Sequence, residues 1–119
     1  MLIRYKKRLE KIAMGLLSFM PDEKEVKRLQ DTIKEYETND QWQLFLWKEE
    51  DDVLGGAIGL IVKEDNKSIL VQHITVDPSH RNMGIGKKMV HALEGFFDES
   101  YSIHANEQTE RFLEKCKTS

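Results

Sequence analysis

Apolar residues recur at Leu9, Ile12, Ala13, Leu16, Leu17 and Met20, the i, i+3, i+4, i+7, i+8, i+11 spacing of one helix face. A short strand over 1–7 precedes this helix, with Leu2 and Arg4 on one side and Ile3 and Tyr5 on the other. Pro21 stops the helix, and Asp22 with Glu25 three residues on resembles the capping box that starts another. Val26, Leu29, Ile33 and Tyr36 form the apolar face of that second helix, which Asn39-Asp40 end. The period then changes. QWQLFLWKE (41–49) is apolar on both faces, as a strand buried on both sides requires, and VLGGAIGLIV (53–62) and SILVQHITV (68–76) follow it. Asp51-Asp52 and Glu64-Asp65-Asn66 are the turns between them, so the three strands pair as an antiparallel meander. The glycines of the middle strand mark a bulge or a close backbone approach. A helix over Gly84–Phe97 with Ile85, Met89, Leu93 and Phe96 inward, a short strand at 101–105 and a last helix at 106–117 complete the chain. The stretch from residue 76 to residue 101 is long enough for a right-handed parallel crossover. The predicted fold class is α/β (α+β): a mixed, largely antiparallel sheet flanked by helices, in the order β-α-α-β-β-β-α-β-α.

The 119 residues make one domain, 1–119, with room for a single core. Hydrophobic residues at 39% and charged residues at 33% fit a soluble protein, and a net charge of −3 gives no basic footprint for nucleic acid. Cys116 is alone, so no internal disulfide forms and a reducing, cytoplasmic setting is expected. Arg4 to Lys11 followed by Ile12–Met20 copies the basic-then-apolar order of a secretory leader, but Gly15 and Ser18 interrupt it and no small-x-small cleavage site follows. It reads as a core helix, and no run approaches the about 20 apolar residues of a membrane span. The four histidines are not spaced as metal ligands.

The most punctuated stretch is TVDPSHRNMGIGKKMVHA, residues 75–92. A Walker A loop fails on it, with Arg81 where a glycine belongs and Lys88 where serine or threonine belongs. A dinucleotide fingerprint fails too, with Met89 in place of its third glycine and no opening βαβ unit. A third template, strand then V-x-P-x-x-R-x-x-G-x-G then helix, is met at Val76, Pro78, Arg81, Gly84 and Gly86. Glycines remove the Cβ atoms that keep a diphosphate from the backbone, so successive N–H groups form a donor nest. The helix N-terminus adds its dipole, and Arg81, Lys87 and Lys88 make the spot basic. The plain alternative is a tight strand-to-helix turn that binds nothing.

On these residues and on the element order, the chain resembles the GCN5-related N-acetyltransferases (GNAT), which use acetyl-coenzyme A as co-substrate. The resemblance covers nearly the whole chain and is most specific over 69–93. The opening MLIRYKKRLEKIAMGLLSFMP is further similar to acetyltransferase-like proteins encoded with riboflavin-biosynthesis genes. The resemblance implies transfer of an acetyl group to an amine by direct attack. It implies that the main chain of Ile74 and Val76 flanks the acetyl-pantetheine arm, with the Val76 amide as oxyanion donor. Arg81, Asn82, Met83, Gly84, Ile85, Gly86 and Lys87 would wrap the pyrophosphate, and Asn106 would hold the pantetheine chain.

Three departures from the family pattern fall together. Leu113 stands where the family usually has the tyrosine that protonates the thiolate, and Lys117-Thr118 replace Gly-Phe. The two strands that usually follow in the family are absent from this sequence. The strand at 101–105 is then an open edge, for which a homodimer is expected. General acid–base help is worth about 10²–10⁴-fold, so a slow enzyme is expected, and a coenzyme A-binding module without turnover is the alternative. His73 is the candidate base, although strict alternation turns it away from Gln72, Ile74 and Val76 unless a bulge intervenes; otherwise it is a hydrogen-bonded core histidine. His104 is a second candidate, His91 lies on the helix surface, Cys116 reads as a small buried hydrophobe, and Trp42 and Trp47 read as core.

Overall fold

The computed structural model describes residues 1–20, 25–81 and 83–117, and of 115–117 the main chain only. Five strands form one sheet in chain order: β1 (Leu2–Arg4), β2 (Trp42–Lys48), β3 (Leu54–Lys63), β4 (Ser68–Val76) and β5 (Ser102–Ala105). The first four pair antiparallel and β4 pairs with β5 in parallel, so the meander and the crossover are as the sequence predicts. Helices α1 (Glu10–Leu17) and α2 (Val26–Thr38) pack on one face, and α3 (Ile85–Phe96) with α4 (Glu110–Lys117) on the other.

Alternation in β2 explains why it is apolar on both faces. Phe45 enters the α3–α4 layer with Leu2, while Leu44 and Leu46 enter the α1–α2 layer beneath Leu17 and Ile33. Arg4, on the Leu2 side of β1, lies 5.3 Å over the Phe45 ring.

Several apolar positions sit differently from their helical spacing. Ile12 is exposed because the first helix is short and begins with a single 3-10 turn at Lys7–Leu9. Val26 is 62% exposed, one turn beyond the part of α2 that meets the sheet, whereas Leu29, Ile33 and Tyr36 are buried. Phe96 is 46% exposed at the end of α3, touching Phe45 only at its edge of the layer, with ring centroids 4.9 Å apart. The last helix starts at Glu110, not at 106, because Asn106 folds the preceding residues into a capped turn: its Oδ1 accepts from the N–H groups of Gln108 and Thr109, each at 3.0 Å. Pro21 and Asp22, expected at the α1–α2 junction, lie outside the described residues.

Candidate active site

β4 is longer than its outer neighbour. The parallel pairing runs from Ser68 opposite Ser102 to Val71 opposite Ala105, and β5 then ends while β4 continues to Val76. At the point of departure β4 carries a bulge: His73 lies opposite Gly59 and Val71 opposite Leu60, leaving Gln72 as the extra residue. Two side chains from the β5–α4 turn fasten the bulge. Thr109 Oγ1 donates to Val71 O at 2.7 Å, and Asn106 Nδ2 donates to Gln72 O at 3.4 Å.

Beyond the bulge the ladder directs the main chain. Asp77 N–H donates to Gly55 O at 2.9 Å, which makes Gly55 and Asp77 a hydrogen-bonded pair. Such pairs alternate along an antiparallel ladder, so Val76 opposite Gly56 and Ile74 opposite Ile58 turn their N–H and C=O groups away from β3. They point into the gap that β5 leaves open. The Arg81 guanidinium reaches back to Val76 O from the same side, Nε to O 3.4 Å.

A tightly held turn leads from β4 into α3. The Asp77 carboxylate accepts the Ser79 hydroxyl at 2.7 Å and the Ser79 N–H at 2.9 Å, and these bonds hold it below the usual carboxylate range. Pro78–His80 form one 3-10 turn. Gly84 then caps α3 with φ +75°, and nothing lies within 4 Å of where its Cβ would be. Arg81, Met83, Gly84 and Lys88 are exposed and Lys87 is half-buried, so the α3 N-terminus is open, cationic and free of side-chain cover at Gly84. Ile85 is 1% exposed, so only its main chain can face a ligand. Asn82 lies outside the described residues.

Gly86 has a packing role that the sequence does not show. A Cβ there would overlap the Phe112 ring, so Gly86 is needed for the contact between α3 and α4, and its buried position faces inward.

On the α2 side of the bulge lies a cleft of about 580 Å³, walled by Arg28, Asp31 and Glu35 of α2, by His73, and by Asn106 and Glu107. Asn106 belongs to both the gap and the cleft, so the two are contiguous at the bulge. His73 is 6% exposed, with Nδ1 2.6 Å from Tyr36 Oη, and the same phenolic oxygen accepts from Gln72 Nε2 at 3.0 Å. The bulge alters the expected alternation. Val71, Ile74 and Val76 all enter the α3–α4 layer, while Gln72 joins His73 in reaching Tyr36 on the other side. His73 is thus both a hydrogen-bonded buried histidine and a wall of the cleft.

The remaining candidates do not gather here. His104 is exposed on β5 and pairs with Ser102 Oγ at 2.8 Å, His91 is exposed on α3, and the Cys116 side chain is outside what is described. Leu113, 3% exposed, is a core residue of the α3–α4 layer and offers no hydroxyl. Trp42 packs edge-on against Tyr36, centroids 5.1 Å apart, and Trp47 packs against the α3–α4 layer. Sequence reasoning missed Tyr36, Gly59, Thr109 and Phe112 as parts of this region. The only signal for them was the glycine content of β3 and α3, which marks close approaches without naming the partner.

The family model for GNAT acetyltransferases matches residues 10–117. The chain belongs to the acetyltransferase (GNAT) family. An uncharacterized N-acetyltransferase of Bacillus methanolicus, encoded in the lysA 3' region, is 56% identical to it over 117 residues, covering 98% of this chain and 95% of its own. Among solved structures, an aminoglycoside antibiotic 6'-N-acetyltransferase from Acinetobacter baumannii superposes with a TM-score of 0.76 at 12% identity, over 100% of this chain and 90% of that one. A spermidine N-acetyltransferase from Vibrio cholerae, solved with coenzyme A and spermine, gives 0.72 at 14% identity, over 98% and 79%. At these identities the two structures establish the fold, which among the described residues has five strands and four α-helices. No helix among the described residues is long and apolar enough to cross a membrane.

Proposed function

We propose that this protein transfers the acetyl group of acetyl-coenzyme A to a primary amine by direct attack, in the cytoplasm. The observation that carries the reading is the pair of outward-turned main-chain groups at Ile74 and Val76, lying beside an α3 N-terminus opened by Gly84. An extended amide-bearing arm fits the gap, because it would pair with those groups as a further strand does. A diphosphate fits the end of α3, where N–H groups, dipole and the cations Arg81, Lys87 and Lys88 act together. Asn106, already reaching across the gap to Gln72 O, is placed to hold the arm from the far side.

The acceptor amine approaches from the cleft. As the new N–C bond forms, the thioester carbonyl oxygen gains charge, and the Val76 N–H is the donor suited to it. The amine nitrogen gives up a proton to His73, the C–S bond breaks, and the departing thiolate is protonated from solvent, since Leu113 supplies no acid. That buried leucine also favours a second reading, a coenzyme A-binding module with little or no turnover. The similarity of the opening segment to proteins encoded with riboflavin genes supports a link to riboflavin biosynthesis, and unchanged cellular riboflavin after gene deletion would remove it. β5, the outer strand of the sheet, supports a homodimer formed along its edge. Light scattering at micromolar concentration should give twice the chain mass, and a monomer rejects that arrangement.

Thermal unfolding with acetyl-coenzyme A, coenzyme A and ATP tests the main reading. A ligand at about 100 times its dissociation constant stabilises by about 2.7 kcal/mol, which for a chain of this size is roughly 10 °C. Both coenzyme A species should give this shift, ATP much less, and Gly84→Asp should abolish it. No shift at millimolar ligand ends the acetyltransferase reading. A shift without thiol release across an amine panel leaves the binding module.

A further inference from the structure

The β4–β5 ladder ends on a side chain. At its start the Ser102 N–H donates to Lys67 O at 2.9 Å, and along a parallel pair such bonds recur at every second residue. The register, Ser68 with Ser102 through Val71 with Ala105, carries the pattern to His104 and Ile69, and assigns the next rung to Asn106 N–H and Val71 O. That rung is not made directly. The Asn106 N–H donates to Thr109 Oγ1 at 3.1 Å, and Thr109 Oγ1 donates to Val71 O at 2.7 Å. A hydroxyl from the turn before α4 is spliced between the two groups, so the last rung is longer by one hydrogen bond.

The chemistry of the three groups fixes the direction of each bond. An amide N–H only donates and a carbonyl oxygen only accepts, so the hydroxyl accepts from Asn106 and gives its single proton to Val71. Asn106 Oδ1 also lies 3.1 Å from Oγ1, but it is farther than Val71 O and already accepts the N–H groups of Gln108 and Thr109. Thr109 is 0% exposed, so bulk water does not compete for these bonds.

The splice sits where the groups that β4 turns toward β5 change parity. Up to Val71 they belong to Lys67, Ile69 and Val71; past the extra residue Gln72 they belong to Ile74 and Val76. Asn106 Nδ2 fastens the same point, reaching Gln72 O at 3.4 Å. The strands therefore part at the spliced rung, and the gap begins on its far side.

We propose that Thr109 is a positioning residue for acetyl-coenzyme A: its hydroxyl, inserted in the last rung, wedges β4 from β5 and holds open the gap that takes the coenzyme's amide-bearing arm. This rests on the reading that the arm lies in that gap. With the hydroxyl removed, Asn106 N–H and Val71 O are left buried without partners, and the way to satisfy both is to close the rung directly. Closure draws the turn at Asn106 toward β4 and narrows the gap. The α3 N-terminus, which would hold the diphosphate, is untouched.

The experiment reads the rung and the ligands separately. Nitrogen–carbon coupling across hydrogen bonds, measured by NMR on the labelled protein, should be absent between Asn106 N and Val71 C′ in the wild type and present in Thr109→Ala. A direct coupling in the wild type overturns the proposal and needs no variant. Calorimetric titration should show coenzyme A weakened about tenfold in Thr109→Ala, the scale of one hydrogen bond, and unchanged in Thr109→Ser, which keeps the hydroxyl. ADP carries a diphosphate without the arm, so its affinity, followed by amide shifts at millimolar ligand, should be the same in all three proteins. Equal weakening of both ligands makes Thr109 a packing residue and overturns the role. Unchanged coenzyme A affinity in Thr109→Ala does so too. A wild type that binds neither ligand defeats the acetyl-transfer reading, and this role with it.

Discussion

At Gly84 a φ of +75° puts the backbone where an L side chain is strained, although the space around it is open. At Gly86 the backbone is helical and the space is filled by Phe112. The same substitution therefore fails for different reasons. Gly84→Ala should cost about 1–2 kcal/mol of left-handed strain, relieved only by moving the N–H groups that begin α3, so coenzyme A affinity should fall with stability. Gly86→Ala should cost about 1–3 kcal/mol of overpacking, and most of that should return when Phe112→Ala is added. Urea midpoints of the four variants in the Gly86–Phe112 cycle measure the coupling. Additive losses would mean that the ring and the glycine are not in contact in solution.

At the level of elements, the order of strands and helices and the inward set Ile85, Met89 and Leu93 of α3 were legible, because period and punctuation carry that information. The bulge was not. SILVQHITV has apolar residues at 69, 70, 71, 74 and 76, and no alternation rule says which neighbour absorbs the irregularity. The answer depends on Gly59 and Tyr36, which are 14 and 37 residues away in the chain and meet the bulge only in the fold. The V-x-P-x-x-R-x-x-G-x-G motif was readable for the same reason as the helices, since its fixed positions are local; the packing role of Gly86 was not, because Phe112 comes from another helix. The turn between β4 and α3 has its own pH dependence. Bonds from the Ser79 hydroxyl, then from the Ser79 N–H, depress the Asp77 carboxyl in the folded state. A depressed folded value means that its stabilisation is present above the unfolded value of about 3.9 and is lost as pH falls through the folded one. Coenzyme A affinity and thermal stability should both decline below about pH 4, and Asp77→Asn, which keeps an acceptor oxygen but cannot titrate, should flatten part of that decline. An identical profile in the variant would show that the loop does not depend on this carboxylate.

Over the whole molecule, the sheet separates two apolar layers that serve different halves of the site. Ile85 and Met89 seat the start of α3 on the sheet in one layer, beneath Gly84 and its neighbours. Leu17, Ile33 and Tyr36 form the other, behind the cleft. Met89 and Leu17 are both completely buried, so truncating either to alanine should cost about 2–5 kcal/mol through lost transfer energy and a cavity. Their effects on ligand should differ. Met89→Ala leaves a hole directly under the helix start that would hold the diphosphate, so coenzyme A affinity should weaken with stability. Leu17→Ala loosens the α1 side of the sheet, the face opposite α3, so affinity measured well below its unfolding temperature should be unchanged. Calorimetric titration of coenzyme A against the two variants separates the possibilities. Equal weakening would mean that the sheet transmits strain between its faces, and that the gap beside β4 and the cleft beneath α2 respond as one unit.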